Sequence, residues 1–459
     1  MKRGPKPARW AAAALAAAAV VGWKIADDRY PWLWAYLADS VRVSTRSAQT
    51  EAVEGPTHIL FCFVDHFEPH DQEAMDRWMR GYPALAGRHR DADGRPPQHT
   101  WFWYFAESDE GESVKFLQQL AQLTYGGYGE VELHLHHWGD TAESLRRNIA
   151  RRLELSRQTG AMVTTGPEPK GAFGFIHGMW GLDNSRPGFC GVNSELILLR
   201  ELGCYADFTH PSWGRMHPRT VNRLYYAADD PQRPKSYDSG PEMRVGGAAS
   251  GDLLIFEGPS VVRWRGLRPA YDHGDVTMED LPTPERIDSW IRAGVHVQGR
   301  PEWVFVKVFT HGAVARDGEA VLGEWADRMY STLERKYNDG TRYALHYVTA
   351  REAVNIAKAA EAGKSGNPND HRDFSVPPYA NRFMTASVPY ELLRMDGRKT
   401  LVRFLAEPGS SITVQLRAPE VVISSGRLKD LSIESEPSRN QSRISFLLTG
   451  SDPVEFTTA

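Results

Sequence analysis

Short apolar runs recur between residues 57 and 362, and they are continuous rather than alternating. They are HILFCFV (58–64), TWFWYF (100–105), EVELHLH (130–136), GAFGFIH (171–177), CYADFT (204–209), DLLIFEG (252–258), EWVFVKVFTHG (302–312) and YALHYV (343–348). A strand with one wet face alternates apolar and polar residues. A continuous run is buried on both faces, as in a parallel sheet covered by helices. Between the runs, ESVKFLQQLAQLTY, TAESLRRNIARRLELSRQ, NSELILLRELG and TAREAVNIAKAAEA carry the helical period. In NSELILLRELG, Asn193 or Ser194 supplies the cap and Gly203 the stop. Strand and helix units repeated this often predict an α/β fold of (β/α) barrel type over residues 57–362.

Both ends of the chain break the rhythm. MKRGPKPARW carries four Lys/Arg and precedes the apolar run Ala11–Gly22, flanked by Trp10 and Trp23. That is the layout of an export signal or membrane anchor. No small-x-small cleavage pattern follows, so residues 1–50 are expected to be an uncleaved N-terminal hydrophobic anchor and linker, with the rest exported. After the Gly/Pro/Asn-rich stretch from 362, TLVRFLAE, SSITVQLRA, EVVISSG and RISFLLTG are short strands between turn residues. They predict a small antiparallel β-sandwich-like domain over 380–459. The formal net charge of −4 and the lack of a basic stripe argue against nucleic acid as a partner. Cys62, Cys190 and Cys204 sit beside apolar or glycine residues without CxxC spacing, which reads as buried free thiols.

In a parallel barrel the reacting groups stand at the C-terminal strand ends. Here those ends carry Asp65 and His66; Glu107; His134, His136, His137 and Asp140; His177; Asp207 and His210; Glu257; and His311. Strand period puts Glu132, His134 and His136 on one face. A zinc-type divalent metal needs three N/O ligands and an open position, and His66, His136 and Asp140 can supply them. Asp65 is then left as general base and His311 as the acid for a leaving group. Several of these groups also have plain structural readings. His134 and His137 read equally as core histidines, Asp207 and Glu257 as partners of barrel cations, and Glu68 as a turn residue beside Pro69. His70 and Asp71 read as solvated loop.

These motifs resemble the polysaccharide deacetylases of the NodB-homology superfamily. FVDHF resembles the first motif, with Asp65 in the base position and His66 in a metal position. HHWGD resembles the His-x-x-x-His motif as His136 and Asp140, and VFVKVFTHG resembles the last motif at His311. YVTAREAVNIAKAA is similar to the closing strand and helix. Two ligand positions depart from the family pattern, His for Asp and Asp for His, and the Arg-x-Pro motif is not clear. FIHGMWGLDNSRPGF lies in its place, where His177, Trp180, Asp183 or Asn184 can face the site or form its surroundings. The resemblance implies a distorted (β/α)7 barrel that hydrolyses acetyl groups of a glycan or polysaccharide with a divalent metal, zinc first and cobalt, manganese or nickel as alternatives. Two other readings stay open: a glycoside hydrolase using carboxylates such as Asp65 and Glu257, or a glycan-binding relative without activity.

Overall fold

Strand β1 (Thr57–Phe67) shows why the apolar runs are continuous. Its Ile59, Phe61, Phe63 and Phe67 belong to one buried cluster, with Trp78 and Tyr82 of the helix Gln72–Ala86. Its Leu60, Cys62 and Val64 belong to a second, with Phe102, Phe305 and Val348. Both faces of the strand are dry, so neither tolerates the polar alternation of a half-exposed sheet. In this computed structural model the described residues are 55–458, apart from 106–108, 187 and 213, with short pieces at 21–22, 24, 33–34 and 36–37.

Beside β1 lie β2 (His99–Tyr104), β3 (Gly129–Leu135), β4 (Phe173–His177) and β5 (Cys204–Asp207). Beyond them come β6 (Leu224–Ala227) and β7 (Leu253–Phe256), then a hairpin of β8 (Val261–Arg265) and β9 (Arg268–Asp272). The series closes with β10 (Trp303–Thr310) and β11 (Tyr343–Val348). The main sheet runs β10-β1-β2-β3-β4-β5-β7-β6, with β11 also on β1. All its pairings are parallel except that of β6 with β7. β1 gives Thr57–Cys62 to β11 and Phe63–Phe67 to β2 along its length.

The expected barrel is corrected here: among the described residues no ladder closes the sheet. The reason lies in the segment after β7. It is spent on the β8–β9 hairpin and the helix Pro284–Arg292, so no strand is left to join β6 or β7 to β10. The other edge of β10 instead takes single backbone contacts, Phe309 N to Gly274 O at 2.9 Å and Phe305 N to Val295 O at 2.8 Å. A side chain spans the gap. The buried Lys307 of β10 donates to the carbonyls of Phe208 and Phe256, each at 3.0 Å, and to that of His210. Burial, opposed by Glu257 and Asp207, lowers its pKa to about 8.

The C-terminal strands form two antiparallel four-stranded sheets. One carries Ile412, Val414 and Phe446 and the other Val402, Phe404 and Phe456, all in one buried cluster. Phe404 meets Phe446 with ring centroids 5.5 Å apart, so the sheets face one another across this core. The proposed anchor over residues 1–50 lies almost wholly outside the described residues. Among those described, no helix is long and apolar enough to cross a membrane.

Candidate functional site

Alternation along β1 decides which of its terminal groups face the site. Asp65 and His66 are neighbours on an extended strand, so they point to opposite faces. Asp65 joins the Phe61–Phe63 face under the helix Gln72–Ala86. Its Oδ1 accepts from Gly312 N at 2.8 Å, and its Oδ2 lies 3.1 Å from His99 Nε2. A Cβ at Gly312 would fall 2.5 Å from Asp65 Oδ2, so a glycine is required there. The Asp65 carboxylate is fully buried, with one oxygen held by Gly312 N and the other beside His99; this placement does not carry the expected role of general base, and that expectation is corrected.

His66 takes the inner face. Its ring lies 4.9 Å from that of His134 and 4.6 Å from that of His311, centroid to centroid. The strand period holds on β3: His134 and His136 converge, with rings 4.8 Å apart. Both reach Glu68, just past the end of β1. Glu68 Oε1 lies 3.0 Å from His134 Nε2 and 3.2 Å from His136 Nε2. Glu132, on the same face of β3, stays deeper, held by the hydroxyls of Tyr205 and Tyr379. Its carboxyl is pushed up to about 8 by burial.

Donor chemistry makes Glu68, His134 and His136 a fit for a metal. His134 Nδ1 lies 2.9 Å from the carbonyl of Ile176, which can only accept, so Nδ1 carries the proton. With Nδ1 on that carbonyl, Nε2 is the atom left to face the Glu68 oxygen at 3.0 Å, and a cation between the two would be bound by both. A ligating histidine is oriented in this way, by its other nitrogen on a carbonyl. The donor atoms of the three residues lie within 4.8 Å of one another. His134 is buried, whereas the side chains of Glu68 and His136 are 23% and 17% exposed, so one side is open.

Electrostatics sort the remaining groups. Burial opposes the charge on Glu68, but the contacts with His134 and His136 outweigh it and hold the carboxyl well below the usual range. Burial, and then the neighbouring imidazoles of His311 and His134, hold His66 well below the usual histidine range. Burial also lowers His311, with Asp65 and Glu68 opposing.

Asp140 is a second correction: it does not join His66 and His136. It turns to the other side of the strand end, with Oδ1 accepting from Ser144 Oγ at 2.6 Å and Oδ2 3.1 Å from His137 Nδ1. There a buried group forms from His137, His177, Cys190 and Glu195, and it can hold a metal ion. His177 therefore belongs to this second cluster. Asp183 faces neither. Its Oδ2 accepts from Ser236 N at 2.6 Å, and burial pushes its carboxyl up to about 8. Trp180 is half-buried against the inner core cluster.

Asp207 is tied to Thr209, and Glu257 to Ser260 and Asn222. Glu107 lies outside the described residues. Glu68 was legible as a candidate but not as a ligand, because it stands beyond the strand whose period orders the others. Cys190 and Glu195 carried no signal beyond a lone thiol and a helix start.

The chain matches no family model, no curated protein and no solved structure.

Proposed function

We propose that this chain is a metal-dependent hydrolase that removes acetyl groups from a glycan, by N- or O-deacetylation. The convergence of Glu68, His134 and His136 at C-terminal strand ends, open on one side, carries the reading. A divalent ion held there, zinc first, supplies Lewis acidity to an acyl carbonyl and to water. His66, which burial keeps neutral, is placed to accept a proton beside it, and His311, lowered by burial but favoured in its protonated form by Asp65 and Glu68, to donate one once protonated. Asp65 acts as a positioning residue: it anchors Gly312 and, through it, the His311 turn. Its charge favours the protonated form of His311.

A sugar partner is supported by Trp138, which is 54% exposed and stacks on His136 with centroids 5.9 Å apart. Such a platform suits the apolar face of a sugar ring. A two-carboxylate glycosidase is disfavoured, since Asp65 is turned to the helix layer and both Glu257 oxygens are engaged. An exported or membrane-associated location belongs to the same proposal, on the basic and alanine-rich N-terminus.

The test is acetate release from a panel of acetylated sugars by wild type, Glu68→Gln and His136→Ala. The variants should lose about 100-fold or more in kcat/KM while staying folded, since even outer partners of a metal are worth 10–100-fold. Equal release by all three proteins would remove these residues from the reaction.

A further inference from the structure

The second cluster differs from the first in being closed. His137 and Cys190 are 3% and 0% exposed, and His177 and Glu195 are 0%. Their donor atoms lie within 4.8 Å of one another. Glu195 Oε1 stands 3.3 Å from His137 Nε2 and 3.7 Å from His177 Nε2, and Glu195 Oε2 lies 3.3 Å from Cys190 Sγ. His177 Nδ1 lies 2.6 Å from the carbonyl of Gly178 and so carries the proton. His177 Nε2, buried and without a hydrogen-bond partner, directs its lone pair at the carboxylate. Such a contact is unfavourable without a positive charge between the two atoms.

We propose that His137 Nε2, His177 Nε2, Cys190 Sγ and Glu195 Oε1 bind a four-coordinate structural zinc ion, separate from the hydrolytic site. Charge balances: two neutral imidazoles, one thiolate and one carboxylate offset a divalent ion, which a buried site requires. Binding releases the Cys190 thiol proton to solvent, forms the sulfur–zinc bond and replaces the thiol's contact with Glu195. The surroundings suit ligands of this kind. Val192 N approaches Cys190 Sγ at 3.4 Å as a donor to the sulfur, Asp140 Oδ2 stands at His137 Nδ1, and Asp183 N holds Glu195 Oε2 at 2.6 Å.

The ion has a mechanical purpose in this fold. Between the ligands His177 and Cys190 the chain passes through four non-glycine residues with left-handed backbone: Met179 (φ 56°), Trp180 (φ 54°), Asp183 (φ 49°) and Asn184 (φ 53°). Side chains disfavour that region, so the path needs a restraint. The same segment presses Gly178 against the ring of His136. The zinc thus clamps a strained loop to the end of β3 and fixes one wall of the proposed active site.

The full chain reconstituted with cobalt(II) provides the test. Wild type should show a near-ultraviolet thiolate-to-cobalt charge-transfer band that is lost in Cys190→Ser and kept in Cys204→Ser and Glu68→Gln. In the zinc form, X-ray absorption should find a sulfur scatterer at about 2.3 Å, a reading that needs no variant. Absence of sulfur from the metal shell of wild type, a band that survives Cys190→Ser, or a wild type that binds no metal would each overturn the proposal. Failure of the hydrolase reading is separate: wild type would then show the band yet release no acetate.

Discussion

Gly178→Ala should disable the proposed active site without unfolding the chain. A Cβ at Gly178 would stand 2.5 Å from His136 Cγ and 2.6 Å from both Cδ2 and Nδ1, whereas ordinary contact begins at 3.4 Å. The ring must therefore retreat by 3.4 − 2.5, about 0.9 Å, well beyond the ±0.2 Å within which a metal–ligand distance can vary. Gly178 does not lie in the left-handed region, so alanine adds no backbone strain of its own. The His136 side chain stands at the open side of the site, which gives it somewhere to go. Displacement of about 1 Å at a reacting centre costs about 100-fold in rate. The assay pairs acetate release with zinc affinity from competition against a chromogenic chelator. Thermal melting and the cobalt–thiolate band report on the fold and on the neighbouring His177. Wild-type kcat/KM together with wild-type zinc affinity in Gly178→Ala would refute the placement of His136 in a metal site.

Two further outcomes concern stability. Arg351→Met strips the fully buried Glu130 of a two-pronged partner, with Nη2 at 2.8 Å and Nε at 3.0 Å from Oε1. The loss should be about 3–5 kcal/mol in denaturant unfolding, and a cost below about 1 kcal/mol would contradict the buried pairing. His58 Nδ1 lies 2.8 Å from His346 Nε2, and His346 Nδ1 lies 2.7 Å from Asp93 Oδ2. Burial, then His346, lowers His58 to about 4, with Asp93 and Glu302 opposing. The unfolded chain takes up this proton near pH 6.5 and the folded chain only near 4, so stability is full above about 6.5 and falls through that window. With screening at this half-buried site, the loss should be about 1–2 kcal/mol. His58→Gln should flatten the fall by that amount, and an unchanged slope would exclude His58 as its source.

The residues state some of this plainly and leave other parts to tertiary geometry. The run at 58–64 is unbroken, and that at 303–309 is interrupted only by Lys307, because both faces of β1 and β10 are buried, and that is legible in the order of the residues. Sheet closure does not, since it depends on how residues 257–302 are spent, and a hairpin and a helix there leave no strand for the free edges. On β3 the period of two brought His134 and His136 together correctly. On β1 the same period separates Asp65 from His66, because the strand continues to Phe67. Asp140 was misplaced for a different reason. It follows the end of β3, where no period applies, and the turn carries it to His137 instead. Cys190 and Glu195 meet His177 through a left-handed loop whose path no local pattern announces.

Zinc titration of chelator-stripped wild type, with acetate release read at each step, tests the hydrolase reading most directly. Activity should be absent from stripped protein and return as the open site formed by Glu68, His134 and His136 fills, while Glu68→Gln stays inactive at every zinc concentration. Full acetate release by metal-free protein, or none by zinc-loaded wild type on any acetylated sugar, would contradict it.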